Sequence, residues 1–294
     1  MNIKDLKYLV ALAEHKHFGK AAEKCFVSQP ALSMQIQKLE ELLGIKLIER
    51  SNKSVLITES GLNIVKRAQD ILNQVEAVHE LARSAKDPYA GELKIGIFPT
   101  LAPYLLPLII PALVKKFSKL SFYLLEEKTA VLIDQLKLGK IHAAFLALPL
   151  AEKQLTTTHL FDEEFLLAVP KTHELAKAKI IMQKDLENKK LLLLEEGHCM
   201  REQALSFCQQ LQATETQDFR ATSLETLRHM VAAGVGMTLM PKFACHSAKN
   251  LAYIPFQSPK PLRSICLAWR NTSAKQALLN EVSQEIISTV KTNA

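Results

Sequence analysis

Apolar residues open the chain at Leu6, Leu9, Val10 and Ala13, the i, i+3, i+4, i+7 spacing of a helix with one buried face. Small Ala21 and Ala22 follow, suited to close helix–helix approach. A further helical stripe begins after Val27–Ser28, with Leu32, Ile36, Leu39 and Leu43 facing inward and Gly44 closing it. Ser28 suits an N-cap, and Pro30 fits the first turn, where a missing N–H costs nothing. KLIERSNKSVLITESG then predicts a small two-stranded wing, with Arg50 and Lys53 near its tip. Over residues 59–84, Leu62, Val65, Ala68, Leu72, Val75 and Val78 recur in steps of three and four. That is one apolar seam on a long helix, which pairing with a second copy or packing on the larger domain would cover.

The pattern changes after Asp87–Pro88. Leu93, Ile95 and Ile97 alternate as a strand, and LAPYLLPLIIPALVKKF reads as a helix. SFYLLEE, a helix around VLIDQLKLG, and HAAFLAL repeat the strand–helix–strand order. FLLAVP starts a second such run, RSICLAWR returns to strand, and KQALLNEVSQEIISTV is a closing amphipathic helix. The expected fold is α/β and mostly parallel in two lobes. Lobe one is placed at about 91–162 plus 265–294 and lobe two at about 163–264. The expected domains are a winged helix-turn-helix over 1–58, a linker helix over 59–87 and a regulatory domain over 88–294.

Composition narrows the class. Of 294 residues, 48% are hydrophobic, enough for a real core. No apolar run reaches the roughly 18 residues of a membrane span. MNIKDLKYLV is amphipathic and charged, unlike a signal peptide, so a cytoplasmic protein is expected. The five cysteines form neither a disulfide framework nor a zinc-ligand spacing, so no metal or cofactor is expected. A net charge of +7 permits a polyanionic partner.

Helix, tight turn, helix seats the start of the second helix in a DNA major groove. Ser28, Gln29, Ala31, Ser33, Gln35 and Lys38 lie off the apolar stripe, with Pro30 at the same end. They suit base edges and phosphates, while Arg50 and Lys53 suit the phosphate backbone. The same pattern also fits a plain three-helix bundle with a solvated polar face. In the larger domain, ligands of such sheets bind beyond the carboxyl ends of strands, near helix N-termini. Thr100 and Thr129 occupy such positions, and Thr222 and Ser223 precede another helix followed by Gly234 and Gly236. Simple capping accounts for each of these residues individually.

LEEGHCMREQALSFC, residues 194–208, places Cys199 and Cys208 nine positions apart. Gly197 breaks the chain, and MREQALSFCQQL reads as a helix with Cys199 at its N-terminus. There the helix dipole, with His198 and Arg201 nearby, favours thiolate. Cys208 lies beside Phe207 and Leu211, a setting for a neutral thiol. In a continuous helix the two Cα atoms would be about 13.5 Å apart along the axis, on opposite faces. A disulfide needs roughly 7 Å or less, so bonding requires the segment to unwind. On the residues alone, two structural thiols and a redox pair both stand.

AAEKCFVSQPALSMQIQKLEELLG resembles the winged helix-turn-helix of LysR-type transcriptional regulators, and the two-lobed domain resembles their effector domain. Met34 and Gln37 stand where family members often carry arginine. GHCMREQALSFC with FRATSLETLRHMVAAG resembles the peroxide-sensing activators of that family. The resemblance implies a homodimer or homotetramer on double-stranded DNA, with Cys199 as peroxidatic and Cys208 as resolving thiol. It implies that Thr100, Thr129 and His198 help hold hydrogen peroxide, with Arg263 near the reduced Cys199. RNA polymerase and a glutaredoxin- or thioredoxin-type reductant are the further partners implied. Cys25, Cys245 and Cys266 are read as packing thiols. A family member sensing a small metabolite, or a thiol peroxidase enzyme, is the alternative.

Overall fold

The structure is a computed structural model. It describes residues 1–50, 55–84, 87, 89–197, 200, 203, 214–246 and 248–293; the side chains of 50, 80, 81, 83, 84 and 214–218 also fall outside the description. The chain divides into two compact units, 1–86 and 87–294.

In the first unit, α1 (Ile3–His15) starts at a capping box: Asn2 Oδ1 accepts from the Asp5 N–H, and the Asn2 N–H donates to Asp5. Its buried stripe is Leu6, Leu9, Ala11 and Leu12, so the expected Val10 and Ala13 are only half-buried. Asp5 is buried on that same face because Gln35 Nε2 donates to it at 2.6 Å. Helix α2 (Phe18–Lys24) leads through a turn to α3 (Gln29–Leu43). Ser28 caps α3 by accepting from the Ala31 N–H, Pro30 lies in the first turn, and Gly44 closes the helix in the left-handed region. Leu32, Ile36 and Leu39 are buried as the stripe predicts.

The wing pairs β1 (Ile48–Arg50) with β2 (Val55–Ile57) antiparallel. It is fastened to α3 by buried Glu40, whose Oε1 accepts from the N–H groups of Leu47 at 2.8 Å and Ile48 at 3.2 Å. Burial on its own pushes the Glu40 carboxyl up. The two N–H donors and the Lys46 ammonium outweigh it and hold the group below the usual carboxylate range. Helix α4 (Glu59–Ser84) begins against the wing, where a Cβ at Gly61 would run into the Leu47 carbonyl and the Ile57 side chain. Ala68 of α4 is buried, and Ile64 and Val65 pack on the small core, so the helix belongs to the first unit. Leu62, Ile71 and Val78 remain exposed in the single chain.

In the second unit, β3 (Gly91–Ile97) lies parallel between β4 (Leu120–Glu126) and β5 (Ala143–Ala147). Helices α5 (Ala102–Lys116) and α6 (Thr129–Lys137) make the connections. The strand β6 runs for 16 residues, Leu155–Pro170, and pairs antiparallel with β11 (Leu262–Arg270) over its first part. Its last part lies against β9 (Thr238–Pro241) and β10 (Leu251–Ile254), also antiparallel. Beyond it, β7 (Lys190–Leu194) and β8 (Thr214–Ala221) form a separate parallel ribbon. A bridge at Leu191–Met237 and a hydrogen bond from Thr238 Oγ1 to the Leu192 carbonyl fasten the ribbon to β9 and the residue before it. Helix α7 (Leu224–Ala232) follows β8, and helix α8 (Gln276–Asn293) follows β11.

The expected parallel order thus holds over β3, β4 and β5 and in the β7–β8 ribbon. The second run, however, opens on the end of β6, which is antiparallel to β9 and β10, and β6 and β11 are antiparallel to each other. These two strands leave one lobe and enter the other in opposite directions. Buried residues form two cores, one from 93–160 and 265–290, the other from 165–256. Among the described residues, no helix is long and apolar enough to cross a membrane.

Candidate redox site and nucleic-acid interface

The α3 residues predicted to face DNA run from the N-cap Ser28 to Lys38, two-thirds of the way along the helix. Ser28, Gln29, Pro30 and Lys38 are exposed, and Ala31, Ser33 and Gln35 are half-buried. Gln35 is partly committed inward, because its amide nitrogen holds Asp5. That bond leaves the carbonyl oxygen and the second amide hydrogen of Gln35 unused. Met34 is exposed beside these residues, and Gln37 donates to Glu41 along the helix surface. Lys53 and the Arg50 side chain lie outside the described residues. Cys25 is half-buried, and burial raises its thiol above the ordinary value despite Lys24 and Lys7.

His198, Cys199, Cys208 and Arg201 lie outside the described residues; what surrounds the segment is described. Strand β7 delivers the chain to Glu195, whose N–H donates to the Ala221 carbonyl at the end of β8. Gly197 has φ +88°, a left-handed conformation glycine adopts at little cost. Met200, one residue past Cys199 in sequence, is buried in the second core. Lys128, at the N-cap of α6, reaches across from lobe one: Nζ lies 2.6 Å from Glu195 Oε1 and 3.1 Å from the Glu196 carbonyl. The next residue, Thr129, has a buried hydroxyl with no hydrogen-bond partner among the described residues.

Thr100 and Arg263, expected to serve the same site, are in direct contact and buried to 2% and 1% exposure. Arg263 Nη1 donates to Thr100 Oγ1 at 3.0 Å, and Nη2 to the Thr100 carbonyl at 3.1 Å. Since the guanidinium takes a lone pair of Oγ1, the Thr100 O–H proton is left to donate elsewhere. The charge of Arg263 is met by buried Glu163: Nε lies 2.7 Å and Nη2 2.6 Å from Oε2. Glu163 Oε1 in turn accepts from the Phe243 N–H at 2.9 Å. The rings of Phe98 and Phe165 flank the guanidinium at 5.4 and 5.9 Å. Tyr104 of α5 adds another inter-lobe bond, donating to Glu225 of α7 at 2.8 Å.

The other thiols of this unit are set against ionisation. Burial pushes Cys245 up to about 12 and Cys266 up to about 11. Sequence reading missed Glu163, Lys128 and the Tyr104–Glu225 pair. Antiparallel register places Glu163 opposite Arg263 a hundred residues away, which no local pattern signals.

A winged helix-turn-helix head and a two-lobed α/β domain together define a DNA-binding transcriptional regulator with a sensory domain. Residues 3–62 match the bacterial regulatory helix-turn-helix of the lysR family, and residues 86–290 match the LysR substrate binding domain. The chain belongs to the LysR family of regulators. It is 45% identical over 289 residues to a hydrogen peroxide-inducible genes activator of Dickeya chrysanthemi, covering 97% of this chain and 95% of the relative. Identity is again 45%, with the same coverage, to the DNA-binding transcriptional dual regulator OxyR of Escherichia coli K12. A full-length OxyR variant from Pseudomonas aeruginosa superposes with a TM-score of 0.80 at 38% identity, over 97% of this chain and 94% of that one.

Proposed function

We propose that this chain is a hydrogen-peroxide-responsive activator of transcription, switched by a reversible disulfide between Cys199 and Cys208. The observation carrying the reading is the GHC…FC pair in a chain 45% identical, over 97% of its length, to proteins named hydrogen peroxide-inducible genes activators. Cys199 thiolate attacks one peroxide oxygen; an S–O bond forms, the O–O bond breaks, and hydroxide leaves and is protonated to water. The Cys208 sulfur then attacks the sulfenic acid, forming the S–S bond and releasing a second water. Two electrons pass from the two thiols to peroxide, and a thiol reductant of the glutaredoxin or thioredoxin class returns them. Thr100 and Thr129 offer hydroxyls to the peroxide with His198, and Arg263 is the cation holding Thr100.

Because the sulfurs cannot meet across a continuous helix, forming the bond rebuilds the segment and changes how subunits pack on DNA. The exposed Leu62, Ile71 and Val78 of α4 support a dimer, with higher assembly to a tetramer. Two copies present two recognition helices to two half-sites, with RNA polymerase as the downstream partner and the cytoplasm as the compartment. The protein acts as a switch, and steady-state peroxide assays should show no catalytic turnover.

Peptide mapping tests the reading. Stoichiometric peroxide should yield a 199–208 crosslink, and Cys199→Ser should abolish peroxide-dependent activation while DNA affinity is kept. Both thiols free after peroxide, with an unchanged response in Cys199→Ser, would point instead to a metabolite-sensing regulator.

A further inference from the structure

Lys128 is an unusual N-cap residue: its side chain makes no cap bond and leaves its own helix to cross between the lobes. The ammonium meets Glu195 Oε1 at 2.6 Å and the Glu196 carbonyl at 3.1 Å. The methylenes lie over Gly197, where a Cβ would stand 3.1 Å from Lys128 Cδ. One side chain therefore holds three consecutive residues, and two peptide units further on, a reach of at most about 7 Å, comes Cys199. On the other side, Lys128 is bonded through the main chain to Thr129, whose buried hydroxyl has no partner among the described residues. The two places the strap joins are the entry to the redox segment and the first turn of α6.

We infer that Lys128 is a positioning residue for the peroxide reaction: it fixes the 195–197 turn against the α6 N-terminus, and so sets where the thiol segment departs relative to Thr129. The inference rests on the peroxide-sensing reading above. Geometry of this kind acts on rate, because small misplacements of reacting groups are costly even when caused by a residue that touches neither. Both charges of the pair are more than a third exposed, so its share of overall stability is small. Rate and stability are therefore separable.

The test uses the full-length reduced chain. Peroxide-driven formation of the 199–208 crosslink is timed by alkylation and mass spectrometry, alongside thermal melting. Lys128→Met keeps the stem over Gly197 and removes the charge; it should slow crosslinking about fivefold with little change in melting. The reversed pair, Lys128→Glu with Glu195→Lys, should recover to within about twofold of the parent rate, while Lys128→Glu alone should not. A Lys128→Met rate within about twofold of the parent overturns the inference and leaves the sensor reading intact. Failure of the reversed pair to recover, in a chain that melts normally, also overturns it. Absence of any crosslink in the parent chain overturns the sensor reading, and the inference with it.

Discussion

Arg263 and Glu163 stand directly opposite each other on the two antiparallel strands that pass between the lobes, with Nη2 2.6 Å from Oε2 and both side chains buried. The pair lies where β6 and β11 leave one core for the other, and the same guanidinium binds the side chain and carbonyl of Thr100. Glu163 extends the chain of contacts to the main chain at Phe243. A residue that the peroxide-sensing reading sets beside the reactive thiol is thus also a buried polar tie between the lobes.

Breaking this pair from one side should be severe. Glu163→Gln leaves a buried guanidinium without its counter-charge and is expected to cost about 3 kcal/mol in urea unfolding of the full-length protein. Replacing both partners with apolar residues should cost less than that single change. A loss below about 1 kcal/mol for Glu163→Gln would contradict the assignment.

The wing should loosen in acid through Glu40. Its folded carboxyl titrates below its ordinary value, so the fastening is complete above the usual carboxylate range and is lost as pH falls through the depressed value. Hydrogen exchange of the Leu47 and Ile48 amides should accelerate over that acid limb. In Glu40→Gln the limb should flatten, with weaker protection already present at neutral pH.

Cys245 and Cys266 should be chemically silent while folded. With thiols pushed up to about 12 and about 11, the thiolate fraction at neutral pH is on the order of one in ten thousand or less. A short iodoacetamide treatment should leave both unmodified in peptide maps, and denaturant should make both reactive. Rapid labelling of either in the folded chain would count against them as packing thiols.

On DNA, α3 should separate into two kinds of contact. Lys38→Ala should weaken binding to all sequences alike and reduce the slope of log affinity against log salt by about 0.9. Gln29→Ala should cost about 1–3 kcal/mol on the preferred operator and relax the choice of base there. Equal losses on specific and random DNA for both variants would remove Gln29 from base readout.

Local signals carried the head of the molecule. Ser28 and Pro30 mark the start of α3 and Gly44 its end, and Leu32, Ile36 and Leu39 repeat at helical spacing between them. The stripe on α1 was legible only in part, because Asp5 takes a buried place through Gln35, thirty residues later. In the sensory domain, the strand–helix order was readable, but the direction of β6 and β11 was not. β11 and the FLLAVP end of β6 are apolar runs that read the same in either orientation, and the first part of β6, LTTTHLFDEE, is too polar to signal a strand at all. Thr100 and Arg263 were recognisable as site residues by resemblance, whereas Glu163 and Lys128 gain their roles from partners 100 and 67 positions away.

The small ribbon of β7 and β8 has a mechanical meaning. The stretch 198–213 is spliced between these two strands, and the ribbon is a separate two-stranded sheet, joined to β9 at the edge of the large sheet through the Leu191–Met237 bridge and the Thr238–Leu192 hydrogen bond. On the peroxide-sensing reading proposed above, the stretch that carries the two thiols is wired in like a fuse, in a branch off the main frame. The β6–β11 ladder that spans both lobes is built from 155–164 and 262–270, so a change of path within 198–213 removes none of its rungs.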